Sequence, residues 1–588
     1  MPFYPPEWVP KLPFDPPDSI PIEKFMFDEN YGRYPMGYSK PPYTCGLTGK
    51  AYSALDVKDR VDYLARALSK ELGFLPNVGS EWDKVIGVFS YNTIDTLPLA
   101  WATHRLGGIQ TPANAAYSVG EVEHQMRDSG AKCLFTCLPL LPTALEAAQR
   151  IGIPKERVYL LEVPESMTPG VTSEGYKTVN DLIEEGKKLD SLEKLNWEDG
   201  EGKRRTAFLC YSSGTSGLPK GVMISHRNVI ANVMQFASYE KPWRDTQIEP
   251  GNQSDYIETI LGLLPMSHIY ALVLICHAST YRGDGVIVLP KFEFKPMLEA
   301  IQRFSIEMLF LVSQSERAPS ISSQISVDRY LAGQLMVKHM FTGAAPLGKE
   351  TAEDLQAMFP KWIVKQGYGL TETATLVCAN AAHDNWFGSS GSLAPSIEAR
   401  LVTVEGNEIT GYDQPGELWV KSPAVVLGYL NNPKATRETF VDGYMRTGDE
   451  AMIRKNPKSG NEHVFITDRI KELIKVKGLQ VAPAELEAHL LTHPAVNDCV
   501  VIGVPSDRDG EVPKAFVVKS PSVGLEDSDV MVKREIQKHV EKHKSKHKWL
   551  AGGVEFIDVV PKSPSGKILR RLLRDQEREK RRQQGAKL

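Results

Sequence analysis

The chain has 588 residues, of which 42% are hydrophobic and 24% are charged, and its formal net charge is −4. This length exceeds that of a usual single domain, so at least two domains are expected. The composition excludes a disordered chain, and the balanced charge gives no reason to expect nucleic acid as the main partner.

The seven cysteines are scattered along the chain without the spacing of a zinc site or a disulfide framework, which indicates a reducing compartment. The most apolar stretch, 260–276, is interrupted by Pro265, Ser267 and His268. No transmembrane span is therefore expected.

The first part of the chain alternates helical and strand patterns. Helices are predicted over 56–72, 94–106 and 119–129, and buried strands over 85–89 and 132–136. Alternation of this kind builds parallel sheets that are covered by helices.

A polyphosphate-binding loop is predicted at 211–221, where the sequence reads YSSGTSGLPKG. It follows a strand pattern over 206–211 and precedes a helical pattern over 228–236. Its glycines allow tight turns that bring N–H groups close to an anion. A Walker loop is excluded because Lys220 follows Pro219 rather than glycine. The loop therefore predicts ATP binding, and the residues expected to bind are Ser212, Ser213, Gly214, Thr215, Ser216, Gly217 and Lys220. The alternative is a flexible surface linker.

This loop resembles the phosphate loop of the acyl-adenylate-forming (ANL) superfamily, which includes acyl-CoA ligases, adenylation domains and firefly luciferase. The resemblance covers nearly the whole chain, and the pattern is most similar to plant-type 4-coumarate–CoA ligases and fungal peroxisomal acyl-CoA ligases. It implies an α/β fold, with a large N-terminal domain of parallel and mixed sheets covered by helices, a β subdomain, and a small mobile α+β lid. The implied domains are an ATP- and acyl-binding domain over 1–467 and a lid over 468–588.

Two segments resemble the walls of the family's acyl pocket. In Leu264–Tyr270, the resemblance makes His268 the residue that gates acyl and CoA access, and Tyr270 a pocket-lining aromatic. In 341–346, it places Gly343 behind the substrate. Taken alone, a histidine in so apolar a run is more often a satisfied core residue.

The segment 366–373 (QGYGLTET) resembles the family's adenine-binding segment. It combines a glycine-permitted turn, an aromatic ring, a hydroxyl and a carboxylate suited to Mg²⁺. By the resemblance, Gln366 and Gly367 belong to the nucleotide site, Tyr368 stacks on adenine, Thr371 binds the α-phosphate and Glu372 holds Mg²⁺. Alone, Glu372 would more often be an ordinary surface carboxylate.

The next motifs resemble the ribose and hinge segments. Asp449, in 444–449, is expected to accept hydrogen bonds from the ribose hydroxyls. In 468–475, the resemblance assigns Arg469 to ribose or phosphate and makes Lys471 the hinge of the lid. The segment 476–487 resembles the loop that faces CoA, and the cofactor-binding residues expected here are Lys475, Lys477, Gly478 and Gln480.

The end of the chain adds a catalytic residue and a targeting signal. The segment 561–570 resembles the one that carries the family's catalytic lysine, here Lys567; the alternative is one more solvated cation among basic neighbours. Ala586-Lys587-Leu588 is similar to the Ser-Lys-Leu peroxisomal signal, so the peroxisomal import receptor is an expected partner. Peroxisomal localisation is expected, with a cytoplasmic protein as the alternative.

One segment, 313–336, departs from the family pattern because the helix that should wall the acyl pocket is not visible there. The expected function is an ATP-dependent acyl- or aryl-CoA ligase with ATP, Mg²⁺ and CoA. Its acid would be an aromatic acid, a medium-chain fatty acid or a precursor of a specialised metabolite. The alternatives are an adenylating enzyme that serves a carrier protein, a luciferase-type oxidation and a non-catalytic relic.

Overall fold

The computed structural model describes residues 2–173, 175–212, 219–248, 256–312, 336–345, 347–477, 479–506, 508–521, 528–562 and 568–585. Structural statements below concern these residues. The divergent segment 313–336 lies outside them except for Met336.

The first sheet has seven strands, numbered along the chain, and contains the strands that flank the phosphate loop. Its strands are β2 Val85–Phe89, β3 Ile109–Ala113, β4 Cys133–Thr136, β5 Val158–Leu160, β6 Thr206–Ser212, β7 Lys220–Ser225 and β18 Gly428–Tyr429. The spatial order is β18-β7-β6-β3-β2-β4-β5. Strands β6, β3, β2, β4 and β5 are parallel, whereas β7 and β18 are added antiparallel.

The second sheet has eight strands and carries the adenine-binding segment. Its strands are β1 Tyr43–Cys45, β8 Thr259–Gly262, β9 Gly285–Val288, β10 Met308–Val312, β11 His339–Gly343, β12 Ile363–Leu370, β13 Thr375–Ala379 and β14 Ser392–Leu393. The order is β1-β9-β8-β10-β11-β12-β13-β14, and pairing is parallel as far as β12 and antiparallel beyond it.

Two further sheets complete the fold. The third is antiparallel, with β15 Glu398–Val402, β16 Glu408–Ile409, β17 Gly416–Lys421, β19 Phe440–Val441, β20 Tyr444–Lys455 and β21 Glu462–Arg469. The fourth belongs to the C-terminal part, with β22 Ile474–Val476, β23 Leu479–Val481, β24 Val496–Ser506, β25 Gly510–Lys519 and β26 Val554–Phe556.

Helices cover these sheets. In the large domain they are α1 Ile22–Phe27, α2 Ala54–Leu72, α3 Thr96–Arg105, α4 Val119–Ser129, α5 Leu141–Ile151, α6 Val179–Gly186, α7 Glu201–Arg204, α8 His226–Asp245, a π-helix Tyr270–Ala278, α9 Ser279–Tyr281, α10 Phe294–Arg303, α11 Lys349–Met358 and α12 Pro433–Thr439. In the C-terminal part they are α13 Pro483–Leu490, α14 Asp529–His543 and α15 Arg570–Gly585.

Local sequence explains where several helices begin. Ser53 caps α2 by accepting from the Asp56 N–H, while the Asp56 carboxylate accepts from the Ser53 N–H. Ser225 and Asn228 form the same reciprocal arrangement at α8. Each arrangement satisfies backbone donors that the first turn leaves unpaired.

The predicted α/β fold class is confirmed, with helix-covered parallel and mixed sheets, an antiparallel subdomain and a small C-terminal domain. Two details differ from the prediction. Strand β7 lies between the phosphate loop and α8, and α8 extends to Asp245 with Pro242 inside it. The boundary predicted between 467 and 468 falls within β21, so the domain limits remain a proposal.

Within the described ranges, no helix combines the length and apolar character needed to span a bilayer.

Candidate active site

The phosphate loop connects the two strands of a β-hairpin. Strands β6 and β7 pair antiparallel, with Ser212 opposite Lys220, so the two residues that flank the loop are held side by side. The Tyr211 hydroxyl donates to Asp128 at 2.6 Å and fixes the hairpin against α4. The predicted phosphate contacts Ser213, Gly214, Thr215, Ser216 and Gly217 lie outside the described residues.

The adenine-binding segment forms the end of β12 and a tight turn into β13. Thr371–Thr373 form one 3-10 turn, after which Ala374 and Thr375 have φ values of 49° and 120°. A Cβ at Gly369 would lie 1.5 Å from the Thr375 carbonyl oxygen, so only glycine allows this close return of the chain. Thr371 is buried and Glu372 is half-buried at the turn.

Gln366 and Gly367 lie on β12 beside the acyl-pocket segments. The Gln366 side-chain oxygen accepts from the Leu347 N–H at 3.2 Å, which ties β12 to the segment after β11. A Cβ at Gly367 would lie 2.5 Å from the Phe341 ring. Glycine at 367 is therefore required for β12 to pack against Phe341.

Tyr429, which the sequence analysis did not identify, joins the phosphate hairpin to Glu372. Its hydroxyl donates to Glu372 Oε1 at 2.9 Å, and Lys220 Nζ lies 5.1 Å from the centre of its ring. Burial and the Glu372 carboxylate both raise the pKa of Tyr429, so the phenol stays protonated and can donate. Residues 220, 372 and 429 thus meet at one place.

Tyr368, Asp449 and Arg469 form a second group. The Tyr368 hydroxyl donates to Asp449 Oδ2 at 2.6 Å, and Arg469 Nε lies 3.6 Å from Asp449 Oδ1. Burial and the Asp449 carboxylate raise the pKa of Tyr368. Asp449 is buried opposite Arg469 in the β20–β21 pair, whereas the Arg469 side chain is 42% exposed. The structure therefore brings together the predicted adenine, ribose and hinge segments.

The two predicted acyl-pocket segments also meet. The Tyr270 hydroxyl donates to the Phe341 carbonyl at 3.0 Å, and the Tyr270 ring packs edge-to-face on Phe310 at 5.9 Å. A Cβ at Gly343 would lie 3.5 Å from the Tyr270 ring, which is ordinary contact. His268 is half-buried, and its Nδ1 accepts from the Tyr270 N–H at 3.3 Å.

The predicted hinge and CoA-facing residues lie on the surface of the C-terminal domain. Lys471 is exposed in the turn after β21, and Lys475 and Gln480 are exposed on the β22–β23 hairpin. Lys477 has φ 52° at the tip of this hairpin, and its Nζ lies 3.1 Å from Asp509 Oδ1. Gly478 lies outside the described residues.

Lys567 also lies outside the described residues. Lys562 and Ile568 form an antiparallel bridge on either side of 563–567. After this bridge, α15 begins with Arg570, whose guanidinium donates to both carboxylate oxygens of buried Glu487 at 2.8 and 2.7 Å. The sequence analysis assigned Arg570 no role beyond its place in the motif, because its partner lies 83 residues away.

Comparisons with known proteins identify the family of the chain. A family profile described as "AMP-binding enzyme" matches residues 39–430, and one described as "AMP-binding enzyme C-terminal domain" matches 485–567. The chain is 40% identical over 583 residues to the acyl-CoA ligase easD of Emericella nidulans, covering 98% of this chain and 100% of that protein. It is 37% identical to the acyl-CoA ligase cm3C of Cordyceps militaris, covering 98% and 90% of the two chains.

Solved structures share the fold. The anthranilate CoA ligase AuaEII in complex with anthranoyl-AMP superposes with a TM-score of 0.77 at 21% identity, covering 95% of this chain and 98% of the other. ATP-bound MatB from Rhodopseudomonas palustris gives 0.75 at 23% identity, covering 94% and 98%. The chain belongs to the AMP-binding enzyme family, within the acyl-adenylate-forming superfamily, and is an AMP-forming acyl-CoA ligase.

Proposed function

We propose that this ligase activates a carboxylic acid as an acyl-adenylate and then transfers the acyl group to CoA. The observation that carries the proposal is the meeting of Lys220, Glu372 and Tyr429, which come from three separate segments, together with the Tyr368–Asp449–Arg469 group, whose Tyr368 belongs to the same 366–373 segment as Glu372. The segment 366–373 thus contributes both to a group suited to phosphate and to a group suited to a nucleoside.

In the first step, a carboxylate oxygen of the acid attacks the α-phosphorus of ATP and the bond to the β-phosphate breaks, which releases pyrophosphate. Lys220, Ser212, the 213–217 segment and Thr371 bind the phosphates. Tyr368 provides the aromatic surface beside adenine, and Asp449 with Arg469 binds the ribose. The protein contributes mainly positioning and electrostatic stabilisation.

Glu372 is the proposed residue for Mg²⁺. Its Oε1 accepts from Tyr429, which orients the carboxylate, and the Thr371 hydroxyl belongs to the same turn. One carboxylate near a phosphate site fits Mg²⁺, which is usually held by one or two carboxylates together with substrate phosphates and water. When bound, Mg²⁺ would neutralise negative charge on the triphosphate.

In the second step, the CoA thiolate attacks the acyl carbonyl and AMP leaves. We propose that the C-terminal domain rotates about Lys471 between the steps. Before rotation, Lys567 faces the α-phosphate; afterwards, the 475–480 hairpin with Lys475, Lys477, Gly478 and Gln480 faces CoA. His268, next to Tyr270 at the pocket entrance, gates access of the acyl group and CoA.

The acid binds beside Tyr270, Phe310 and Gly343, where the Tyr270 ring packs edge-to-face on Phe310 and lies next to Gly343. The test is pyrophosphate release by purified protein with ATP, Mg²⁺ and CoA across aryl acids, medium-chain fatty acids and precursors of specialised metabolites. Release that depends on one acid, together with formation of its CoA thioester, supports the proposal. Adenylation without thioester formation would instead favour a carrier-protein acceptor, and ATP binding without any turnover would favour a relic.

Replacement of Asp449 with asparagine is expected to raise KM for ATP by about 10–100-fold, since a hydrogen bond to a charged group contributes about 1.5–3 kcal/mol. Steady-state kinetics with saturating acid measure this effect. Asp413→Asn is the matched control, because Asp413 also pairs with an arginine, Arg454, at 2.7 Å but is 64% exposed. An equal KM for ATP in the two variants would contradict the assignment of Asp449 to the ribose site.

Replacement of Gly343 with alanine is expected to lower kcat/KM for the preferred acid by about 10–200-fold, the effect of one methyl group in a pocket. The fold should tolerate the change because the new Cβ makes ordinary contacts, and KM for ATP should stay unchanged. Gly348→Ala is the control, since its Cβ would lie at the same 3.5 Å from a neighbour, Ala488, away from the pocket. Unchanged acid preference would contradict the placement of the acid at Gly343.

We also propose peroxisomal localisation through Ala586-Lys587-Leu588. A fluorescent protein fused before Met1, with Leu588 as the last residue, is expected to coincide with a peroxisomal marker in fungal cells. Removal of 586–588 should leave the fusion in the cytoplasm. Identical cytoplasmic fluorescence from both forms would contradict import.

A further inference from the structure

Three histidines of the C-terminal domain lie together, apart from the predicted ATP and CoA residues. His489 belongs to the last turn of α13, and His539 and His543 are one turn apart on α14. One ring nitrogen from each residue lies within 4.8 Å of the other two. We propose that His489, His539 and His543 bind a divalent transition metal ion, with zinc as the reference ion.

The three rings also pack against one another. The His489 and His539 rings are stacked, with centroids 4.3 Å apart and planes 5° apart, and the His543 ring centre lies 5.3 Å from each. Residues at i and i+4 share one face of a helix, so His539 and His543 point to the same side. An imidazole binds zinc in its ring plane at about 2.0–2.1 Å, so the stacked His489 and His539 rings would turn out of their parallel arrangement to bind one ion.

The hydrogen bonds of the cluster also fit metal binding. His489 Nε2 donates to the His539 carbonyl at 3.3 Å, and His543 Nδ1 donates to the same carbonyl at 3.0 Å. His539 Nε2 bonds with the Thr492 hydroxyl at 2.9 Å. Each bond uses one ring nitrogen and leaves the other side of the imidazole for a ligand. A metal-bound histidine usually has its second nitrogen held in this way, which fixes the ring orientation.

The donor set determines the class of ion. Three imidazoles suit Zn²⁺, Ni²⁺ or Cu²⁺, whereas Mg²⁺ and Ca²⁺ prefer oxygen ligands. His543 is exposed and the other two rings are half-buried, so an ion can enter from solvent. All seven cysteines are buried, and their thiols are therefore poor competitors for added metal. An ion here would join α13 to α14 within the C-terminal domain.

The test is titration of the untagged full chain with Zn²⁺ by calorimetry, with bound zinc measured after dialysis. We expect one ion per chain at micromolar or tighter affinity, and a Co²⁺ form with the visible absorption of bound cobalt. His539→Gln and His543→Gln should each weaken binding by at least about tenfold, since even the loss of an outer-shell partner costs about 10–100-fold. His547→Gln, in the same domain but outside the cluster, should bind zinc like the unmodified chain.

Thermal unfolding without metal checks that the variants fold. If His539→Gln does not fold, the test rests on His543→Gln, because His543 is exposed. Failure to retain stoichiometric zinc at micromolar concentration would overturn the proposal. Equal zinc affinity of the unmodified chain and His543→Gln would also overturn it.

Discussion

Replacement of Lys567 with alanine is expected to slow acyl-adenylate formation by about 10²–10³-fold, the usual effect of removing one group that stabilises charge in the transition state. Transfer from preformed acyl-adenylate to CoA should change little, because the proposed rotation of the C-terminal domain would withdraw Lys567 before this step. The two half-reactions can be measured separately, as acid-dependent exchange of pyrophosphate into ATP and as thioester formation from synthetic acyl-adenylate and CoA.

Lys538→Ala is the matched control, since Lys538 is an exposed lysine of the same domain. It should leave both half-reactions unchanged. Equal slowing of both half-reactions by Lys567→Ala would contradict the proposed division of labour and indicate general damage to the domain. Lys562 and Ile568 form their bridge through backbone atoms, independently of the side chain at 567, so such damage is not expected.

The sequence predicted those parts of the site whose chemistry is local. Glycines, hydroxyls, a lysine and a carboxylate in fixed order at 211–221 and 366–373 indicated ATP, and the family and the ligase function are confirmed. The strand–helix alternation at the start of the chain likewise predicted parallel sheets, because side-chain periodicity reflects which face of an element is buried.

Contacts between distant segments could not be predicted in this way. Tyr429 reaches Glu372 because the two-residue strand β18 pairs with β7 in one register. So short a strand has no detectable periodicity. The β22–β23 hairpin was missed for a related reason: its tip residue Lys477 has φ 52°, a conformation for which lysine gives no signal.

These findings suggest one physical connection between the nucleotide site and the C-terminal domain. Asp449 and Arg469 face each other on β20 and β21, and the adjacent Asp468 accepts from the Ala484 N–H at the start of α13 at 3.0 Å. Strand β21 therefore contacts Asp449, the proposed ribose-binding residue, on one side and the C-terminal domain on the other. Lys471, the proposed hinge, follows this strand. A rotation there would move the C-terminal domain relative to β21.

Replacement of Arg570 with methionine is expected to lower the free energy of unfolding of the C-terminal domain by about 3–5 kcal/mol, the typical cost of leaving a buried charge without its partner. Glu487 is 7% exposed, and both of its oxygens accept from Arg570. Burial raises the pKa of Glu487, and the Arg570 cation opposes this rise. Hydrogen exchange of β24, whose Val501 N–H donates to Glu487, measures the loss.

The pH dependence has a definite sign. A carboxylate whose pKa is raised in the folded state contributes stability below its unfolded pKa and loses it as pH rises through the folded value. Without Arg570 the pKa of Glu487 rises further, so the destabilisation should be smaller at pH 5 than at pH 8. Glu487→Gln combined with Arg570→Met should recover part of the stability at pH 8, because no buried charge remains.

Arg578→Met is the matched control on the same helix, since Arg578 is 70% exposed and lies 3.6 Å from Asp575. An exposed pair of this kind contributes at most about 1 kcal/mol. If Arg570→Met were no more destabilising than Arg578→Met, another group would have to compensate the charge of Glu487 in the variant. The larger loss, with recovery at low pH, would instead show that this buried pair holds α15 against α13.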